Sequence, residues 1–66
     1  MPRLTTDLQS TMLSRASYDP DSETLDLTFE GGRTYTYESV PQSVFEGLRD
    51  APSAGQYWRA NIKDAY

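Results

Sequence analysis

The side chains best placed for binding chemistry lie around the start of a predicted helix in the last third of the chain. Ser53 and Gln56 stand at capping-box spacing, which predicts that this helix begins at Ser53. Gly55 leaves room in the first turn for another backbone or a ligand, and Arg59 lies one turn further on. Helix N-termini bind anions through their free N–H groups. This pattern defines a candidate anion site, although capping and packing are the favoured interpretation.

Basic and aromatic side chains on the same helix and on the preceding one extend this set. Lys63 follows Arg59 by one turn, and Tyr57 stands one position off the apolar stripe of its helix. These side chains are the ones best placed to contact a ligand together. The candidate binding residues are Ser53, Gly55, Tyr57, Arg59 and Lys63, with Arg49 on the preceding helix.

Catalysis and metal binding have little support in the residue types present. The chain has no histidine and no cysteine, so the commonest general base and the usual metal ligands are missing. Asp19, Asp21 and Glu23 alternate as calcium ligands do, but the segment lacks the length and the glycine of an EF-hand loop. We therefore expect no enzyme, no catalytic residue, no metal and no cofactor.

Charge and length limit the classes of partner. The chain has 66 residues and a net charge of −4, which is poor for a general binder of phosphate backbones. Residues 19–30 carry five acidic groups and no basic one, whereas residues 49–63 carry Arg49, Arg59 and Lys63 against Asp50. No apolar run approaches the roughly 20 residues that cross a bilayer, so a cytoplasmic protein without membrane contact is expected. With one small core, it is expected to be a monomer or a homodimer.

The centre of the chain alternates apolar and polar side chains around a Gly-Gly pair, which is typical of a β-hairpin. A two-residue turn would pair Thr28 with Tyr35 and place the tyrosines opposite the leucines. A three-residue loop, residues 30–32, would pair Leu27 with Tyr35 and gather the large apolar groups on one face. A slip of one residue turns a strand over, so burial favours the three-residue loop, with Gly32 as its left-handed residue.

The remaining periodicities predict the other elements. A weaker strand over residues 11–18 precedes strands over 24–30 and 33–38, and two helices with apolar stripes follow, separated at Pro52. The predicted fold class is α+β: a three-stranded antiparallel β-meander followed by two helices packed on one face of the sheet (β-β-β-α-α). Residues 1–10 are expected to be a flexible N-terminal arm, and residues 11–66 a single domain.

The predicted core consists of the apolar side chains that these patterns place on one face. Phe45 and Trp58 lie on the two helical stripes, and truncating either to alanine is expected to cost ~3–5 kcal/mol. The core residues are Tyr18, Leu25, Leu27, Phe29, Tyr35, Tyr37, Val44, Phe45, Leu48, Trp58 and Ile62.

Several of these residues together resemble a known family, the KTSC domain. The resemblance rests on the Tyr-x-Tyr at Tyr35 and Tyr37, on Val40-Pro41 after it, and on Ser53-x-Gly55-x-Tyr57-Trp58 with Ile62-Lys63. It covers about residues 11–66 and implies the domain found at the C-terminus of some lysyl-tRNA synthetases and alone in small bacterial or phage proteins. The family's function is unsettled, and RNA binding has been suggested for it.

Two functions follow as expectations. The first, which we prefer, is a small non-catalytic module that recognises a protein partner. The alternative is an RNA-binding module, for tRNA among others, that acts through the C-terminal helix or through the sheet tyrosines, on which bases would stack. Exposed Tyr35 and Tyr37 would favour the RNA alternative, whereas buried tyrosines would leave only the last helix as a surface.

Overall fold

The structure is a computed structural model that describes residues 3–8 and 10–66. Its elements, in chain order, are β1 (Leu4–Asp7), β2 (Leu13–Asp19), β3 (Thr24–Phe29), β4 (Thr34–Tyr37), α1 (Gln42–Asp50) and α2 (Ala54–Asn61). The strands form a single antiparallel sheet in the order β1-β2-β3-β4, and both helices follow it. The α+β class is confirmed, but the sheet has four strands where three were predicted.

The additional strand lies in the segment that was expected to be a flexible arm. Leu4 pairs with Tyr18 and Asp7 pairs with Arg15, so β1 extends the sheet beyond β2. Leu4 packs against the core, and Leu8 is buried. The prediction of an arm is wrong for the part of residues 1–10 that the structure describes, whereas residues 1, 2 and 9 lie outside it. Pairing with β2 holds this short polar segment in a strand, and its composition alone did not predict one.

The hairpin adopts the three-residue loop. Leu27 pairs with Tyr35 and Leu25 pairs with Tyr37, and the N–H of Phe29 donates to the carbonyl of Arg33 at 2.7 Å. Gly32, with φ of 92°, supplies the left-handed residue, and the glycine before it is also left-handed. The predicted register is therefore confirmed, and the large apolar side chains of β3 and β4 share one face of the sheet.

A β-bulge in β2 changes which residues of that strand face the core. The register of β2 on β3 shifts between Leu13 and Arg15, so one extra residue opposes β3 there. Leu13 therefore joins Ala16 and Tyr18 on the buried face, although strict alternation would place it opposite them. Met12 is left at the end of the strand, only partly buried, beside the start of α2.

The two helices cover part of that face. Pro41 precedes α1 in an extended conformation, and Ser53 caps α2 by accepting from the N–H of Gln56, as predicted. Phe45 of α1 stacks on Tyr18 of β2 with ring centroids 5.4 Å apart. Neither helix is long or apolar enough to span a bilayer, and no other helix occurs in the described ranges.

The buried core agrees with the predicted one in part. Six predicted residues are buried: Tyr18, Leu25, Leu27, Phe45, Leu48 and Ile62. Four more are only partly buried, namely Phe29, Tyr37, Val44 and Trp58. The assignment of Tyr35 to the core is wrong, since 47% of this residue is exposed. The prediction missed Leu8, Leu13, Ala16, Val40 and Ala54.

Candidate binding groove

A groove opens on the helix side of the sheet, where the helices leave β4 uncovered. Its volume is ≈ 720 Å³ and it is open to solvent along its length. Its walls come from the end of β3, from β4, from α2 and the turn after it, and from the segment before β2. Its lining residues, called the aromatic groove below, are Thr11, Met12, Phe29, Glu30, Arg33, Tyr35, Tyr37, Trp58 and Lys63.

The aromatic side chains of the groove contact one another in a chain. Phe29 lies at the centre, with its ring edge-to-face against Trp58 at 5.1 Å and against Tyr35 at 5.2 Å. The indole Nε1 of Trp58 donates to the hydroxyl of Tyr37 at 3.1 Å. Edge-to-face pairs and this hydrogen bond hold the rings in defined positions, so the groove has a preformed apolar floor.

Local structure explains why these rings meet. The three-residue loop brings Tyr35 opposite Leu27 and Tyr37 opposite Leu25, on the face that also carries Phe29. The Ser53 cap starts α2 one turn before Trp58, which reaches the same face from above. Each element therefore contributes to the groove a side chain that its own periodicity had assigned to the core.

Two cations stand at the groove. The Nζ of Lys63 lies 5.8 Å from the centroid of the Trp58 ring, within the range of a cation–π contact. Arg33 lines the groove at the start of β4. Neither side chain forms an ion pair with another described residue, whereas Arg3, Arg15 and Arg49 are each paired with an aspartate. The groove therefore combines apolar rings with positive charge that no neighbouring carboxylate neutralises by an ion pair.

The structure does not bring all the predicted binding residues together. Lys63 alone lines the aromatic groove, while Ser53, Gly55 and Arg59 line a smaller neighbouring pocket of ≈ 260 Å³. Both pockets share Thr11 and Met12. A Cβ added at Gly55 would lie 3.4 Å from the Ser10 Oγ and 3.7 Å from the Met12 Cβ, which are ordinary van der Waals distances, so the segment before β2 packs close to α2 without requiring a glycine.

Two predicted binding residues lie away from both pockets. Tyr57 packs against α1, where its hydroxyl and ring occupy the space that a side chain at Gly47 would need. Arg49 lies near β1 and donates to Asp50 at 3.0 Å through both Nε and Nη2. Neither residue lines the groove, so the structure does not bring them together with Lys63 there.

The groove residues that sequence analysis missed are the aromatic ones assigned to the core and Met12. Their periodicity marked the correct face, and no signal in the sequence showed that the helices leave part of it open. Arg33 was not among the predicted binding residues either.

Ionisable groups with shifted pKa values lie elsewhere. Burial raises the pKa of the Tyr18 hydroxyl, which donates to the Val40 carbonyl at 2.5 Å. The N–H of Asp21 donates to the Asp19 carboxylate at 3.0 Å and lowers the pKa of that carboxyl. No cluster of acidic side chains able to hold a metal occurs within residues 3–8 and 10–66. The groove suits binding by stacking, apolar contact and charge.

Comparison with known proteins places the chain in a family. The family model for the KTSC domain matches residues 9–66. A protein of Tsukamurella paurometabola is 37% identical over 59 residues, with 89% of this chain and 88% of that protein aligned. A lysine–tRNA ligase of Nostoc sp. is 45% identical over 49 residues, which are 74% of this chain but only 9% of the ligase.

A solved structure shows the same architecture. The crystal structure of a KTSC domain protein from Yersinia pestis superposes with a TM-score of 0.87 at 29% sequence identity. The alignment covers 97% of this chain and 90% of that one. On the family match over residues 9–66 and this structural likeness, the chain belongs to the KTSC domain family.

Proposed function

We propose that this chain is a small non-catalytic binding module that recognises a protein partner through the aromatic groove. The observation that carries the proposal is the open groove of ≈ 720 Å³, whose aromatic floor lies beside two cations that form no ion pair with a described residue. Aromatic side chains, methionine and arginine are the types enriched where proteins bind each other. The absence of histidine and cysteine from the chain favours binding over catalysis.

Charge supports a protein partner over a nucleic acid. The chain has 10 acidic and 6 basic residues, and Glu30 lies in the groove with Arg33 and Lys63. The opposite face of the sheet carries Asp26, which is bound by Arg3 and by the Thr36 hydroxyl. A polyanion would meet few free cations on this surface, whereas an apolar peptide segment would bind chiefly through contact with the aromatic floor.

Capture from a native lysate tests the proposal. Immobilised wild-type protein is compared with a Tyr35→Ala, Lys63→Ala double variant, which removes the exposed ring and the cation over Trp58. An Arg15→Ala variant serves as the control, since Arg15 is exposed and lies outside the groove. We expect proteins that survive nuclease treatment, that the Arg15→Ala variant retains and that the double variant loses. Loss of every captured protein on nuclease treatment would overturn the proposal.

One observation favours RNA as a second candidate. Tyr35 is 47% exposed and lies in the groove with Arg33 and Lys63, so a base could stack on its ring while the cations contact phosphate. Lysine–tRNA ligases of two Nostoc strains contain a related segment, which is consistent with this alternative. With two cations engaged, the logarithm of the affinity should fall with the logarithm of salt concentration with a slope of about 1–2.

Titration of fluorescent single-stranded RNA and of tRNA at low salt tests the second candidate. The predicted result is micromolar or tighter binding that is lost in an Arg33→Ala, Lys63→Ala double variant. An Arg59→Ala single variant separates the small neighbouring pocket from the groove, because Arg59 lines only that pocket. Binding that depends on Arg59 and not on Arg33 would move the site to α2, and unaltered binding in both variants would rule the groove out.

A further inference from the structure

The sheet has an open edge beside the aromatic groove. β4 is an outer strand, because the strand order is β1-β2-β3-β4. Thr34, Tyr35 and Thr36 are all exposed, and neither helix covers this edge. An outer strand presents unpaired N–H and C=O groups to which another extended chain can bind.

The register identifies which backbone groups point outward. Phe29 donates to the Arg33 carbonyl, so the hydrogen-bonded positions of the ladder continue at Leu27 with Tyr35 and at Leu25 with Tyr37. The backbone groups of Thr34 and Thr36 therefore point away from β3. The side chains are consistent with this register, because Thr34 lies opposite Thr28 in a non-hydrogen-bonded pair and their hydroxyl oxygens are 3.4 Å apart.

The same register orients the tyrosines. Because neighbouring side chains of a strand point to opposite faces, Tyr35 and Tyr37 face the aromatic groove while Thr34 and Thr36 face the other side. A chain that pairs with Thr34 and Thr36 would extend the sheet by one strand. Every second side chain of that chain would then lie along the groove beside Tyr35.

The other edge of the sheet lacks this combination. On β1 the outward backbone groups belong to Thr5 and Asp7, and the Asp7 carboxylate is bound by Arg15 at 3.2 Å. Leu4 packs against the core and Leu8 is buried, and the pocket of ≈ 330 Å³ beside this strand is lined by no aromatic side chain. Backbone edge and aromatic floor coincide only at β4 within the described ranges.

We propose that β4 accepts an extended segment of a partner protein as a fifth strand, whose alternate side chains enter the aromatic groove. The proposal rests on the proposed function and specifies how the partner is held. The groove-facing side chains are large and apolar, with a carboxylate where they pass Arg33 and Lys63, since neither cation forms an ion pair in the described chain. Backbone pairing would supply affinity, and the groove would supply sequence preference.

The probe is a library of capped peptides of about eight residues, long enough to pair with one strand. Alternate positions carry Leu, Ile, Phe or Glu, and the intervening positions carry Thr or Ser. The strongest binder is then resynthesised with a single N-methylated peptide bond at each position in turn. N-methylation removes one N–H and leaves the side chain unchanged.

Strand addition predicts a period of two in this scan. Methylation at every second position should weaken binding by roughly tenfold, because one strand-to-strand hydrogen bond is lost each time. Methylation at the positions between them, whose N–H groups point to solvent, should change binding about twofold or less. A flat profile, or one with a helical period, would overturn the proposal while leaving groove recognition intact.

Two substitutions at one position of the protein provide the matched test. Thr36→Pro removes an outward N–H without breaking the ladder to β3, as edge strands tolerate. Thr36→Val removes the hydroxyl that donates to Asp26 at 2.8 Å but keeps the N–H. We expect Thr36→Pro to weaken the peptide roughly tenfold and Thr36→Val to leave it nearly unchanged. Circular dichroism confirms folding of both variants, and the methylation scan on wild-type protein decides the question if Thr36→Pro unfolds.

The outcomes separate the two proposals. Peptide binding that is lost in Tyr35→Ala but is equal in Thr36→Pro and Thr36→Val would overturn strand addition alone. If no library peptide binds, strand addition is overturned. The lysate experiment then decides separately whether the groove recognises proteins by another mode.

Discussion

The two halves of the helix-covered sheet face use the same residue types for opposite purposes. In the half under α1, Tyr18 stacks on Phe45 and is only 1% exposed, with its hydroxyl bound to the Val40 carbonyl. In the other half, Tyr35 contacts Phe29 edge-to-face and is 47% exposed. Both tyrosines lie on the same face of one sheet. Coverage by a helix makes one of them core and leaves the other available to a ligand.

The largest expected difference between the halves is in stability. Phe45→Ala should lower the free energy of unfolding by ~3–5 kcal/mol, because it leaves a cavity beneath Tyr18. Tyr35→Ala should cost less than about 1 kcal/mol, since nearly half of this residue is already exposed to water. Urea denaturation of both variants measures the difference. Equal losses would show that the groove is part of the core.

The expected stability loss on truncating Trp58 lies between those for Phe45 and Tyr35. The sequence alone predicted a loss as large as that for Phe45, but Trp58 is only partly buried and its indole borders the open groove. We expect Trp58→Ala to cost ~2 kcal/mol, from the lost contact with Phe29 and the lost hydrogen bond to Tyr37. A loss equal to that of Phe45→Ala in the same denaturation series would contradict this ranking.

Removing one tyrosine hydroxyl from each half compares how much a buried and a partly exposed hydrogen bond contribute to stability. Tyr18→Phe leaves the buried Val40 carbonyl without this donor and should cost ~1–2 kcal/mol. Tyr37→Phe leaves the Trp58 N–H close to solvent and should cost about 0.5 kcal/mol. Thermal unfolding of both variants checks the order, and the reverse order would show that water reaches Val40.

Substitution at the contact between the two helices should have a smaller effect on stability, and the sign of this effect should depend on Tyr57. A Cβ at Gly47 would lie 2.7 Å from the Tyr57 Cζ, so Gly47→Ala should destabilise by ~1 kcal/mol despite its better helix propensity. In a Tyr57→Ala background the same substitution should stabilise by about 0.5–1 kcal/mol. A double-mutant cycle measures this change of sign. If Gly47→Ala stabilised the protein in both backgrounds, Tyr57 would have moved away without cost.

The smallest effect comes from a group outside both halves. Hydrogen bonding to the Asp21 N–H lowers the pKa of Asp19 from its ordinary value of 3.8. Its contribution to stability is therefore fully present above that value and is lost as the pH falls through the lower pKa of the folded state. Melting temperatures between about pH 5 and pH 2 should fall less steeply in Asp19→Asn, which keeps an acceptor for Asp21. Identical slopes would contradict this.

Periodicity and burial predicted the parts of the fold that depend on a face. The hairpin register followed from Leu25, Leu27 and the two tyrosines, because the alternative would have exposed one set of them. The four residues of β1 do not form a clear apolar face, so their sequence did not predict a strand. This segment is a strand because it pairs with β2. The bulge that buries Leu13 was equally invisible to a strict period of two.

The groove could not be predicted for a different reason. A pattern tells which side of a strand or helix is apolar, but not how far a neighbouring element extends over it. Phe29, Tyr35, Tyr37 and Trp58 were correctly grouped, and they were assigned to the core because two helices were expected to cover the sheet fully. The short α2, which ends at Asn61, leaves them at its margin.

The position of Trp58 gives this protein an optical reporter at its candidate site. It is the only tryptophan in the chain, and its ring touches Phe29, Tyr37 and Lys63 at the edge of the groove. Emission excited at the red edge of absorption comes from tryptophan and not from the five tyrosines, so the signal originates beside the groove. A ligand that displaces the Lys63 ammonium from the indole face would change that emission without any label. Occupancy of the groove would then be followed by the emission of this one ring, in the same sample in which circular dichroism follows unfolding of the fold.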